Sequence, residues 1–361
     1  SMLDYWDNVL SKEGQVAEDP SLFEFDPTLA PEIDDNLCPY IGLYAFQESE
    51  EGYFFGRQEM VNTMIDRLAQ NPMLAVVGPS GSGKSSVVLA GLIPKLKEGG
   101  YQDRYFYPPL VPGSNPLINL SRTLRPKKAE LDEWLEAQVP AFKRDEQLLL
   151  KWLDRYRPEG AVLVIDQFEE AFTLCLDESI RKAFVANLTN LITAPGSKHV
   201  VILTMRSDFE TYALMYPEFE PLFRRARMTM VPLNAAELRE AILKPADSVG
   251  LRFEEGVVEA LIQDILGEPA ALPLLQFTLL RLWEMRSRNR VTWDSYRRLG
   301  GGRLALANSA DEIYDSLIPE EQVTAKRILL HMVRPTEGLE VTSKRILRVS
   351  LYTKGEAGDR V

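Results

Sequence analysis

Short apolar runs alternate with helical patterns through the middle of the chain. MLAVV at 73–77, AVLVID at 161–166 and HVVILTMR at 199–206 are nearly unbroken runs of branched and aliphatic residues, the pattern of strands buried on both faces. RMTMVPL at 227–233 predicts a fourth such strand. YFYPPLVP at 105–112 is interrupted by Pro108 and Pro109 and belongs at a sheet edge, where a missing N–H is tolerated. Between the runs the period changes to that of a helix. From Gln58, Met60, Met64, Ile65 and Leu68 share one face until Asn71-Pro72. KSSVVLAGLIPKL follows, with Pro94 expected to kink or end it. Segments 116–124, 128–138 and 143–157 read as helices, and Ile180, Phe184, Val185, Leu188 and Leu191 form another helical face. Strands alternating with helices predict an α/β fold: a parallel sheet flanked by helices.

After Asn234 the pattern turns wholly helical. AAELREAIL, GVVEALIQDIL and ALPLLQFTLLRLWEMRS are followed by a helical stretch to 333, broken at Gly300-Gly301-Gly302 and at Pro319. This predicts a nucleotide-binding-type α/β domain over 37–234, a helical domain over 235–300 and the beginning of a third domain over 301–361, whose last segment reads as cut before completion. No internal repeat is visible. Residues 1–36 carry scattered prolines and no sustained periodicity; they read as a leader or linker with one short helix near Tyr5–Leu10. Ser1 before Met2 is expected to be a cloning remnant on an excised piece of a longer protein.

Composition narrows the function classes. The chain has 361 residues, about two or three domains' worth, and 45% hydrophobic residues, enough for a sizeable core. The net charge of −12 is concentrated at the start, where residues 1–50 hold twelve acidic side chains against Lys12 alone. The remainder is nearly balanced, so no general nucleic-acid affinity is expected. No apolar run is long enough for a membrane helix and no signal peptide begins the chain, which predicts a cytoplasmic protein. Cys38 and Cys175 read as reduced structural thiols. His199 and His331 are too few and too scattered for a zinc site or a Ser-His-Asp mechanism.

The chemistry begins at AVVGPSGSGKSS, residues 75–86. Gly78, Gly83, Lys84 and Ser85 complete the spacing G-x-x-x-x-G-K-[ST] between a strand and a helix. Successive backbone N–H groups from Gly78, Ser80, Gly81, Ser82, Gly83 and Ser86, with the dipole of the helix they open, suit phosphate. Lys84 is placed to reach the β- and γ-phosphates and Ser85 to bind Mg²⁺. AVLVIDQFEEAF delivers Asp166 to the end of a buried strand, a second Mg²⁺ ligand opposite Ser85. Glu169 and Glu170 follow within one turn; either can polarise a water, or both simply open a helix where acids are favoured. Arg206, at the end of LTMR, stands on the same sheet edge and can read a γ-phosphate, or else pair with Asp208. No [NT]-K-x-D guanine motif occurs. The nearest thing to a transporter signature, LGGGR at 299–303, lies far downstream of Asp166. The long separation of Lys84 from Asp166 does not suit a small-molecule kinase.

CPYIGLYAFQESEEGYFFGRQE, the glycine loop, VLVIDQFEEAFTL, LTMRSDF, ELREAILKPA, ALPLLQFTLLRLWE and LGGGRLALANSADEIYDSL occur in one order. Over roughly 37–335 this resembles the STAND NTPases, in particular the bacterial novel STAND group often joined to WD40 or other repeats. The resemblance implies that Arg57 approaches the nucleotide from the N-terminal side, that Arg206 is a sensor, and that Pro273 of ALP, where Ala271 replaces a glycine, lies against the adenine. It leaves Arg224, Arg225 and Arg227 unassigned and makes 301–361 the start of a winged-helix domain. The implied function is a signal-transduction switch: slow Mg²⁺-dependent ATP hydrolysis, closed with ADP and open with ATP, controlling self-association and attached effector and sensor domains. Two other readings stay open. One is an AAA-type ATPase acting on DNA through the winged helix, with SKRILR at 343–348 as a small basic candidate. The other is a scaffold holding a structural nucleotide.

Overall fold

A computed structural model describes residues 31–268, 270–334 and 342–343. Five parallel strands form the central sheet: β1 Met73–Gly78, β2 Tyr105–Phe106, β3 Ala161–Ile165, β4 Val200–Arg206 and β5 Arg227–Thr229. Their order is β2-β3-β4-β1-β5. The unbroken apolar runs resolve into two faces, as the alternation of side chains along a strand requires. Ala75, Val77, Leu163, Leu203 and Met205 face a core shared with helices Pro116–Leu124, Leu131–Arg144, Leu148–Tyr156 and Glu178–Thr193. Leu74, Val76, Val162, Val164 and Ile202 face the opposite core, under Gln58–Gln70 and the helix that follows the glycine loop.

The proline-bearing segments show how packing overrides local preference. β2 stands at the sheet edge as the sequence predicts. It bulges over Pro108-Pro109 and rejoins β3 at Leu110, whose N–H donates to Val164 and whose carbonyl accepts from Asp166 (both 2.9 Å). Pro94 does not end its helix. A wide π turn, Val87–Leu92, precedes Ile93–Glu98, so the proline falls at the start of a new α segment, where its missing N–H costs little. The helix predicted over 128–138 instead spans Leu131–Arg144 and passes through Pro140, because fully buried Phe142 holds its last turn on the core. The one predicted over 143–157 begins later, at Leu148, after Asp145 accepts the Gln147 N–H at 3.0 Å and turns the chain. The strand expected over 227–233 ends at Thr229: Met230 still donates to Val77, but Pro232 has no N–H to offer the ladder.

Beyond the sheet, helices Ala235–Val249, Val257–Ile265, Ala271–Glu284, Trp293–Leu299 and Gly301–Ser316 enclose a separate apolar core around Leu261, Leu279 and Leu282. Ala235–Val249 runs through Pro245 and closes on Gly250 in the left-handed region (φ 78°). Breaks fall at Gly300 and before Pro319 as read from the sequence, with Pro319–Met332 as the next helix. Val333–Arg334 then pairs antiparallel with Thr342–Ser343. The segment before the sheet docks on the helical core: the Tyr40 hydroxyl donates to the Ile242 carbonyl at 2.8 Å, and Arg286 pairs with Asp35. The short helix expected near Tyr5–Leu10, most of the acidic leader, SKRILR apart from Ser343, and residues 335–341 and 344–361 of the region read as a winged helix lie outside the described residues. Among the described residues no helix is long and apolar enough to cross a membrane.

Phe184 is fully buried, with its ring 6.2 Å from that of Phe168 beneath the sheet. Phe184→Ala is expected to cost about 3–5 kcal/mol, read as a lower urea midpoint with an unchanged slope.

Candidate nucleotide-binding site

The parallel register sets the site. Gly78 at the end of β1 lies opposite Arg206 at the end of β4, and Ile165 of β3 lies opposite Leu203. All three strands therefore deliver their carboxyl ends to one edge, where open α/β sheets bind ligands. A cleft of about 480 Å³ opens there. Its walls include Arg57, Ser80, Gly81, Gly83, Lys84, Ser85, Ser86, Glu169, Glu170, Arg206 and Pro273. Of the sequence-predicted residues, Gly78, Ser82 and Asp166 are not on the wall. Gly78 ends the strand, the Ser82 hydroxyl donates back to the Pro79 carbonyl at 2.9 Å, and Asp166 stands buried behind Ser85.

Gly81 (φ 72°) and Gly83 (φ 86°) hold the loop in left-handed conformations. They also permit a close approach. A Cβ on Gly81 would meet the Pro273 ring at 3.1 Å, and one on Gly83 would meet the Leu272 methyl at 3.0 Å. Pro273 thus packs directly on the glycine loop. Lys84 donates to the carbonyls of Gly78 (3.1 Å) and Pro79 (2.8 Å). Burial pulls its ammonium below the ordinary lysine range, against the opposing pull of Glu169. Ser86 is engaged from outside the loop: its hydroxyl accepts the Phe46 N–H at 3.2 Å.

The Ser85 hydroxyl donates to Asp166 Oδ1 at 2.7 Å. A hydroxyl and a carboxylate held together are hard oxygen donors of the kind Mg²⁺ takes. A second hydroxyl reaches the same oxygen, that of Thr204 on β4. Thr204 also accepts the Gln167 N–H at 2.9 Å, while its carbonyl accepts from Phe168 at 2.8 Å. Gln167 lies at φ 54°, an uncommon conformation for a residue with a side chain. Thr204 therefore fixes both Asp166 and the sharp turn that aims Glu169 and Glu170 at the cleft. Sequence reasoning missed it; the signal was a lone hydroxyl in the otherwise apolar run HVVILTMR.

Glu169 and Glu170 are both buried on the cleft wall. Burial raises the Glu169 carboxyl, opposed by hydrogen bonds that include the Arg206 N–H (3.2 Å), and then by the Lys84 and Arg206 charges. The Arg206 side chain pairs with Asp208 through two hydrogen bonds, at 3.0 and 2.6 Å. Arg57 is 4% exposed, and both its terminal nitrogens are buried without a hydrogen-bond partner. Burial lowers its guanidinium, with Glu237 opposing. An orphaned buried guanidinium on a cleft that holds a glycine loop fits an anionic ligand. Residues 42–46, with Phe54, Phe55, Leu233 and Gln276, also line the cleft and were not singled out as site residues from the sequence. Arg224 and Arg227 pair with Glu220 and Glu210. His199 is buried against Asp154.

Thr204→Val keeps the shape of a fully buried side chain but removes the hydrogen bonds that its hydroxyl makes with the Gln167 N–H and with Asp166. It is expected to lower stability by about 1–3 kcal/mol, checked by chemical denaturation.

The chain matches the family model for novel STAND NTPase 1 over residues 39–361. No curated protein matches it. Among solved structures it is similar to the Orc1 protein of Aeropyrum pernix in complex with DNA, at TM-score 0.51 and 14% identity over 77% of this chain and 72% of that one. It is also similar to a Walker-type ATPase of Pyrococcus abyssi (TM-score 0.47, 15% identity, 81% and 83% covered) and to Cdc6p of Pyrobaculum aerophilum (TM-score 0.47, 16% identity, 84% and 79% covered). At 14% identity the likeness to the Aeropyrum protein speaks to the fold alone. The family match spans the glycine loop, Asp166, Arg206 and the helices that close the cleft, and the chain belongs to the novel STAND NTPase 1 family.

Proposed function

We propose that this chain is a nucleotide-dependent signalling switch that binds ATP or ADP with Mg²⁺ and hydrolyses ATP slowly. The observation that carries the reading is the seam between the glycine loop and helix Ala271–Glu284: Pro273 and Leu272 rest on Gly81 and Gly83, the peptides that cradle phosphate. A ligand in the cleft touches the sheet, residues 42–46, Arg57 and the helical layer together. Whatever changes the phosphates is thus read jointly by the proposed nucleotide-binding (37–234) and helical (235–300) domains, and reaches the winged-helix-like domain (301–361) through helix Gly301–Ser316, which packs on Ala271–Glu284. A differential contact of this kind is what a two-state switch requires.

In this reading Gly78 to Ser86 enclose the phosphates, Lys84 binds the β- and γ-phosphates, Arg57 contributes a second cation, and Pro273 lies against the adenine. Ser85 and Asp166 hold Mg²⁺, which neutralises phosphate charge when bound. Glu169 is favoured over Glu170 as the residue that polarises water, since its carboxylate faces Lys84 and the root of Arg206. Arg206 senses the γ-phosphate. Self-association and attached effector and sensor domains belong to this proposal, as does a cytoplasmic setting. The DNA of the Aeropyrum complex belongs to that protein, and the nearly balanced charge of this chain beyond residue 50 gives no electrostatic reason to propose nucleic acid as its partner.

Three measurements test the proposal. Lys84→Ala should abolish ATP and ADP binding by calorimetry; unchanged binding removes the phosphate assignment. Denaturing the purified protein should release ADP if the closed state is the resting one. Glu169→Gln should reduce phosphate release by about 10²–10⁴-fold. The same change should raise thermal stability. A carboxyl whose folded pKa lies above its unfolded value contributes stability below the unfolded pKa and loses it as pH rises through the folded one, so at neutral pH the ionised Glu169 is a cost. The neutral variant is expected to melt higher at pH 7.5, with the gain fading as pH falls below the ordinary glutamate range, checked by thermal melts at both pH values.

A further inference from the structure

Arg206 is anchored at its root, and its head is turned to a neighbouring carboxylate. Its backbone N–H donates to Glu169 Oε2 at 3.2 Å, which fixes the end of β4. The guanidinium leans away from that anchor. Nε and Nη2 donate to the two oxygens of Asp208 at 3.0 and 2.6 Å, and the group lies 5.1 Å from the centroid of the Phe209 ring. Arg206 lines the cleft and is 17% exposed; Asp208 is not on the cleft wall, is 46% exposed, and sits on the one-turn helix Ser207–Phe209. The fork geometry that would clasp a phosphate is thus occupied by a neighbouring carboxylate.

We propose that Asp208 is a resident competitor for the γ-phosphate, a residue that sets the preference for triphosphate over diphosphate by holding the Arg206 fork until a stronger anion displaces it. This rests on the reading of Arg206 as the sensor. The exchange is open to the fork because Asp208 is 46% exposed and its carboxylate is rehydrated on release, while a phosphate near Lys84 offers Arg206 more charge in a drier place. ADP places no group at the γ position, so the Asp208 pair persists. ATP draws the guanidinium into the cleft, and the released Asp208 carboxylate is solvated at the rim. Asp208 acts through Arg206, and so is a positioning residue that sets specificity.

The test is a double-mutant cycle read as the ratio of affinities for a non-hydrolysable ATP analogue and ADP, both with Mg²⁺, by calorimetry. Asp208→Asn should tighten the analogue about three- to tenfold and leave ADP within about twofold. In an Arg206→Ala background the same change should give no gain, and Asp208→Glu should keep the ratio near that of the unaltered protein. Thermal melts confirm folding of each variant. An unchanged ratio, equal tightening of both nucleotides, an equal gain without Arg206, or weaker analogue binding overturns the proposal. Arg206→Ala alone reports on the sensor reading: if it leaves analogue affinity unaltered, that reading fails and the competitor falls with it. Loss of all binding in Lys84→Ala keeps the phosphate loop intact as an assignment in either case.

Discussion

The parallel register of β3, β4 and β1 is the constraint on which everything else rests. Pairing Gly78 with Arg206, and Ile165 with Leu203, brings the glycine loop, Asp166, Thr204 and Arg206 to one edge. A slip of one residue would exchange the two faces of a strand, turning Ala75 and Val77 toward the wrong core and Thr204 away from Asp166. The register is defended because both faces are buried. Two independent apolar cores would have to be broken to shift it. The chemistry is therefore held by packing that lies well below it.

A second constraint is steric. The helical layer meets the glycine loop at less than the distance a side chain would occupy, since Gly81 and Gly83 have no Cβ to oppose Pro273 and Leu272. The same two glycines supply the left-handed turns that aim backbone N–H groups inward. Left-handed loop backbone and contact between layers are thus one feature of the sequence, and the proposal that the seam couples ligand to arrangement rests on it.

Charges around the cleft are arranged in opposition. Lys84 is depressed by burial and supported by Glu169, while Glu169 is raised by burial and opposed in part by Lys84 and Arg206. Each buried charge is tolerable because its neighbour is there. Arg57 departs from this pattern, with two buried nitrogens that have no hydrogen-bond partner, and its cost is consistent with a site that spends stability on binding.

Much of this could be read from the residues alone. Unbroken apolar runs meant strands covered on both faces, the switch of period at Asn234 marked where helices take over, and the spacing of Gly78, Gly83, Lys84 and Ser85 specified a phosphate loop, because each follows from local backbone geometry or burial. Element ends were less legible. Pro94 reads as a kink or an end to its helix, yet a π turn lets it open the next α segment, and the helix read as 128–138 runs on through Pro140 because buried Phe142 holds its last turn. Thr204 was invisible as a site residue because its partners Asp166 and Gln167 are 38 and 37 residues away along the chain. Whether Arg206 pairs with Asp208 or stands alone was likewise open. By itself the sequence determined the strands, the helices and the chemistry of the loop. Only tertiary structure decided the strand order, which face each helix covers and which distant side chains meet, because those depend on pairing between residues that no local pattern links.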